Sequence, residues 1–278
     1  MARKTIWAGG IICSIVGLLI TGYILLSGAP KAEADSFWDT SDESNKATIN
    51  HDEWQYILDE YLISDDPSGI NLVDYEGIQE NDQESLAAYI EHLTGIDPRN
   101  YNRAEQQAFW INLYNALTVQ LIVEHYPVES ITKLGESALS FGPWDDNITK
   151  IADKALSLNN IEHSILRPLW KDYRIHFAVN CASIGCPNIQ SRAFTASNTD
   201  DLLDIGAEEY LAHPRGLSFN GETLVLSSIF DWYGEDFGTN TSEILSTLSI
   251  YANDSLAEDI KNYSGNINYE YDWNLNQF

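Results

Sequence analysis

The chain opens on an apolar run and then changes character. Residues 6–28 hold no charged side chain. As a helix they would reach about 35 Å, enough to cross a bilayer core with some tilt. Arg3 and Lys4 precede the run, and by the positive-inside rule they keep the N-terminus inside and send the rest of the chain out. Two readings of residues 1–34 stay open. The length of the run favours a retained anchor. Ala32-Glu33-Ala34 also fits a signal peptide cut after Ala34, which would leave a secreted or periplasmic protein. Residues 35–48 are polar and acidic and read as a linker, and residues 49–278 read as one domain.

Within that domain the apolar spacing alternates between helix and strand. Trp54, Ile57, Leu58 and Tyr61 share one face of a helix over 49–63. A second helix runs from Asp82 to Thr94, with Gly95 as its stop and Pro98 beyond. Arg103 to His125 is apolar almost all round, which predicts a central buried helix. Residues 148–151 and 155–158 predict a hairpin around Asp153-Lys154, followed by a helix to about Trp170 capped by Ser157 or Asn159. RIHFAVN (174–180) predicts a strand by its β-branched and aromatic content. A helix over 200–212 follows, then a hairpin over 216–227 turning at Asn220-Gly221. A helix over 242–252 and a strand over 267–271 close the chain. There is no βαβ rhythm. The expected class is α+β, a single domain with a buried central helix and short antiparallel hairpins, behind an N-terminal transmembrane helix.

Charge narrows the partners. With 42 acids against 15 bases the formal net charge is -27, a field that repels nucleic acid and anionic headgroups. A membrane partner is expected only through the N-terminal helix. Three cysteines are too few for a disulfide-stapled scaffold. No phosphate-binding glycine loop, HExxH or CxxC is present, and His and Cys spacing matches no common zinc pattern, so no cofactor or metal is expected.

A few polar residues stand out against this background. Cys181 follows the apolar stretch directly, where backbone N–H groups of the next segment could stabilise a thiolate or an oxyanion. Cys186 lies five residues on, so a disulfide and an inert buried thiol stay open beside the nucleophile. On a helical wheel Glu162 falls inside the apolar arc of Leu158, Ile161, Ile165 and Leu169. His163 falls at its edge, with Arg167 one turn on. That placement suits a base and its carboxylate at a cleft wall, or equally a buried ion-pair network. His176 is a second imidazole, but an odd offset from Cys181 sends the two to opposite faces of a regular strand. Asn112 and Asn115 share a face of the buried helix and need partners there.

Five segments together resemble a known family: AFWINLYNALTVQLI (108–122), SLNNIEHSILR (157–167), RIHFAVNCASIGCP (174–187), LSSIFDWYGEDF (226–237) and INYEYDWNLN (267–276). They are similar to the domain of unknown function 547 (DUF547) of bacterial envelope proteins. The resemblance implies an α+β domain over about residues 50–276 and supplies no activity. It singles out Asn112, Asn115, Glu162, His163, Arg167, His176 and Cys181. It also implies that the position of Cys186 varies, favouring Cys181 as the functional thiol. Two functions follow. One is an inner-membrane, periplasm-facing thiol hydrolase or acyltransferase, distantly papain-like with His before Cys. In it Cys181 attacks an amide or ester, His163 is the base, and Glu162 or Asn115 orients the imidazole. The other is a non-catalytic envelope module in which Trp144, Trp232 and Tyr233 stack on a sugar or peptide.

Overall fold

A buried helix and the polypeptide laid around it set the architecture of the computed structural model, which describes residues 29–136, 141–252 and 254–278. Helix α1 (Asp52–Tyr61) packs on α2 (Gln83–Thr94), and α2 packs on α3 (Arg103–His125). Asn102 caps α3, its side-chain oxygen accepting from the Ala104 and Glu105 N–H groups. The helix is buried on every side, from Phe109 and Trp110 through Leu117 to Val123, as its all-round apolar sequence demands. Its two amides do what a buried amide must. Asn112 donates to the Phe194 carbonyl and accepts from the Phe194 N–H. Asn115 donates to the Ala178 carbonyl at 2.9 Å and accepts from the Asn180 N–H at 2.8 Å.

Residues Ala32–Phe278 form one compact unit with two apolar clusters. The larger surrounds α3. It reaches back to Trp38, which is buried edge-on against Trp110, so the acidic segment after Ala34 is seated on the domain at that point. The smaller cluster gathers α5 (Thr199–Ala212), Phe230, Phe237 and a three-stranded sheet; α4 (Arg167–Trp170) lies before it in the chain. Beyond the sheet's first two strands lie α6 (Thr241–Leu248) and α7 (Asp254–Lys261).

The strands are short and dispersed. β1 (Leu62–Ile63) pairs with β2 (Leu72–Val73), and β3 (Thr149–Ile151) pairs with β4 (Lys154–Leu156) through a turn at Ala152 and Asp153, both at positive φ. β5 (Leu217–Asn220) pairs antiparallel with β6 (Thr223–Ser227), with Asn220 opposite Thr223. The two-residue loop is therefore Gly221-Glu222, one residue later than the Asn220-Gly221 turn expected, and Gly221 takes the positive φ. This register puts Leu217, Leu224 and Leu226 inward.

The structure is α+β, and it corrects the expected architecture in four respects. No helix among the described residues is long and apolar enough to cross a membrane, and the segment at 6–28, on which the transmembrane expectation rested, lies outside them. The sheet is not built of antiparallel hairpins alone, because β7 (Ile267–Glu270) runs parallel to β6. RIHFAVN is no strand. Asp172 caps a 3-10 helix at Tyr173–Phe177, and Arg174 pairs with Asp172, Asp200 and Asp204 instead of entering a ladder. The papain-like placement of an imidazole on the cysteine is also absent, as the site shows.

The final segment runs past the cysteine loop. The Ile184 and Gly185 N–H groups donate to the Asn274 and Asp272 carbonyls, and the Asn276 N–H donates to Ala182. A Cβ on Gly185 would lie 2.8 Å from the Asp272 nitrogen and 2.9 Å from its carbonyl oxygen, so only glycine permits this approach.

Candidate functional site

The helix carrying Glu162 and His163 is not an α-helix. Asn160–Leu166 is a π-helix, and the Arg167 N–H reaches the Glu162 carbonyl five residues back. Turns of this kind are rare and frequent at functional sites. The wider turn brings Glu162, His163 and Arg167 inward together, each under a tenth exposed. An α-helical wheel left His163 at the edge.

These three side chains meet His176, Tyr233 and Asp236 in a continuous polar chain. Asp236 Oδ2 accepts from Arg167 Nε at 2.6 Å and from His176 Nε2 at 2.7 Å. The other His176 nitrogen faces Glu162 Oε1 at 3.5 Å. Arg167 also donates to His163 Nδ1 at 3.0 Å and to Glu235 at 3.3 Å. Tyr233 closes the cluster as a plate. Its ring stacks on His176 at 4.6 Å, and the Arg167 guanidinium lies over it at 4.9 Å.

Charge follows from these contacts. Burial alone would raise the Glu162 pKa, but His163, His176 and Arg167 together hold it down to about 2. Asp236 is likewise held at about 2: burial opposes the charge, and hydrogen bonds from His176 and Arg167 overcome that. Burial would lower His176, yet Asp236 and Glu162 raise it above its ordinary value, so it is the charged imidazole of the pair. His163 is pushed down to about 4 by burial, with Arg167 and His176 adding to the effect against Glu162. A guanidinium only donates, so the neutral His163 ring accepts at Nδ1 and carries its proton on Nε2. That buried Nε2–H has no partner among the described residues.

The sulfur side of the site is separate. Cys181 and Cys186 form a disulfide. The Tyr271 hydroxyl sits against both sulfurs, 3.0 Å from Cys181 Sγ and 3.1 Å from Cys186 Sγ, and accepts from Ser183 Oγ at 3.2 Å. Tyr271 also starts an aromatic face. Its ring packs on Trp273 at 4.6 Å and on Trp232 at 4.9 Å. Trp232 stacks on Trp273 at 5.6 Å, and Trp273 meets Trp144 at 5.6 Å and Phe141 at 5.4 Å. All five rings are half-buried. The neighbouring residues Trp232 and Tyr233 link this face to the imidazole cluster.

Set against expectation, the structure brings Glu162, His163, Arg167 and His176 together and leaves Cys181 elsewhere. Cys181 Sγ is bonded to Cys186 and lies 3.2 Å from the Ser183 hydroxyl and 3.0 Å from that of Tyr271. Neither imidazole has a lone pair to offer: His163 spends its own on Arg167, and His176 faces a carboxylate from each nitrogen. Asn115 orients no imidazole, because both ends of its amide hold the backbone before Cys181. Asn112 ties α3 to Phe194. Among the described residues no group of three or more His, Cys, Asp or Glu is placed to hold a metal. Asp236, Tyr271 and Trp273 were not singled out from the sequence. The first lies in a run of acids and the others in an aromatic run, and only their distant partners mark them.

Part of this domain matches a family defined by sequence. Residues 98–211 match the model described as protein of unknown function, DUF547, and the chain carries a DUF547 domain. The match spans α3, the Glu162–His163 turn and both cysteines, and ends before Trp232, Asp236 and Tyr271. No curated protein and no solved structure matches the chain.

Proposed function

We propose that the domain is a non-catalytic binding module whose aromatic face takes a sugar ring. The observation that supports this reading is the face itself. Phe141, Trp144, Trp232, Tyr271 and Trp273 come from three separate segments and pack on one another, yet none of these residues is fully buried. Large aromatic rings in contact are ordinarily covered, and an open cluster of them is a stacking surface for a flat apolar ligand face. Asp145, Asp231 and Asp272, each exposed and next in chain to one of these tryptophans or to Tyr271, supply acceptors for hydroxyl groups at the rim. A net charge of -27 disfavours an anionic ligand and leaves a neutral sugar unopposed. The imidazole–carboxylate–guanidinium chain behind Tyr233 then acts as the support that fixes the Trp232-Tyr233 step. A hydrolase built on Cys181 would need a reduced thiol and an imidazole lone pair, and both are engaged.

Titration with neutral oligosaccharides, followed by tryptophan emission, tests the reading. Binding should be saturable, and Trp273→Ala should weaken it about tenfold, the scale of one lost ring contact plus its buried area. No saturable response from a panel of gluco- and amino-sugar oligomers, or equal binding by Trp273→Ala, would sink it.

A further inference from the structure

The disulfide loop has a design that the binding reading does not use. Its two cysteines are unequal: Cys186 is 4% exposed, whereas Cys181 is only half-buried. Both sulfurs lie against the Tyr271 hydroxyl, and the buried one has a backbone donor as well. The Cys181 N–H points at Cys186 Sγ from 2.9 Å, and the Tyr271 hydroxyl lies 3.1 Å from it. The ends of the loop are also held independently of the S–S bond. Asn180 donates from its side chain to the Pro187 carbonyl at 2.6 Å and accepts from the Ala182 N–H at 2.7 Å. Ala182 itself stands at φ 58°, a left-handed conformation that a non-glycine residue keeps only when its surroundings impose it.

From this asymmetry we infer that Cys181–Cys186 is a thiol–disulfide exchange centre, opened at Cys181 by the thiolate of a small thiol. The incoming thiolate attacks Cys181 Sγ. A bond forms between the two sulfurs, the Cys181–Cys186 bond breaks, and its electron pair leaves on Cys186 as a thiolate. The Cys181 N–H and the Tyr271 hydroxyl stand ready to receive that charge, and a stabilised leaving thiolate speeds exchange. A second thiolate then attacks the substrate sulfur of the mixed disulfide and releases Cys181 as a thiolate. Two substrate thiolates are oxidised to one disulfide, and the protein disulfide is reduced to two thiolates. Because Asn180 clamps both loop ends, the reduced sulfurs stay within reach and the reaction runs in either direction.

Glutathione is the probe. The native full chain is incubated with it, quenched with an alkylating agent and mapped by mass spectrometry, which separates Cys13 from the pair by peptide. The glutathione adduct should appear on Cys181, with Cys186 recovered alkylated. Tyr271→Phe, which keeps the ring and removes the hydroxyl, should slow opening about tenfold, since a hydrogen bond to a charged group is of that order. An adduct on Cys186, opening that needs denaturant, or an unchanged rate in a natively folded Tyr271→Phe would overturn the inference. The position of the adduct in the unsubstituted chain decides the matter even if that variant does not fold. It is also independent of any sugar binding.

Discussion

Asp236→Asn is the sharpest probe of the polar cluster. The substitution keeps the shape of the side chain and removes its charge. Asp236 Oδ2 now lies between Arg167 Nε at 2.6 Å and His176 Nε2 at 2.7 Å. The Arg167 and His176 side chains are 1% and 2% exposed, so the charge removed is the counter-ion of two buried cations. Removing one partner of a buried pair costs about 3–5 kcal/mol. Glu235 remains beside Arg167 at 3.3 Å, but at 60% exposure it offsets little. His176 limits the loss by shedding its proton, which places the expected cost at the lower end, about 3 kcal/mol. Asp236 is not its only neighbour: Glu162 faces its other nitrogen, Tyr233 and Phe237 pack on its ring, and the ionisable groups of His163 and Arg167 stand nearby. The sign with pH follows. His176 is raised above 6.5 in the folded protein, so its contribution is complete below that value and is lost as pH rises through the folded pKa. The gap between wild type and Asp236→Asn should therefore be larger near pH 6 than near pH 9, without vanishing, because the Arg167 pairing does not titrate. Urea unfolding followed by circular dichroism, with the slope checked for constancy, measures it. A gap under about 1 kcal/mol near pH 6, or one that widens toward pH 9, refutes the account of His176 as the charged imidazole.

Three further outcomes follow from the same geometry. Asn115→Ala should cost about 2–5 kcal/mol in urea unfolding, since it leaves the Ala178 carbonyl and the Asn180 N–H buried without a partner; a cost below about 1 kcal/mol would show that water replaces the amide. Gly185→Ala should lower stability by about 1–3 kcal/mol, because the new methyl meets the Asp272 backbone, and an unchanged melting temperature would show that the cysteine loop moves freely. Stability should fall steadily with acid: neutral His163 withdraws its share as pH drops from 6.5 through about 4, and Glu162 withdraws its share from 4.5 through about 2. Glu162→Gln should flatten the last part of that curve, and an identical slope below pH 4.5 would count against a charged Glu162.

How much of this was legible in the sequence depends on how local each cause is. Helix α3 was readable because its burial is written in apolar residues on nearly every side, and the β5–β6 hairpin was readable to within one residue because glycine marks the turn. RIHFAVN failed because its strand-like composition carried no information about a partner strand. The Asp172 cap and the acids that hold Arg174 decided the local conformation. The inward placement of Glu162 was right and that of His163 short by part of a turn, since a wheel drawn at the α pitch cannot show a π-helix. Asp236 and Tyr271 are 60 and 90 residues from the side chains they serve, His176 and Cys181, and spacing is silent at such range.

The aromatic face also makes the molecule its own optical gauge. Trp232 and Trp273 stack at 5.6 Å with their planes 25° apart, near enough for their electronic transitions to couple, and Trp144 closes on Trp273 from the other side. Those rings come together only when segments more than a hundred residues apart have docked. A coupled tryptophan signal in the near-ultraviolet circular dichroism is thus a signature of the finished tertiary structure, lost in any fragment that lacks Trp273 and altered in one that lacks Trp144 or Trp232. Its return on refolding dates the assembly of the face, and its persistence after a surface substitution certifies that the face is intact.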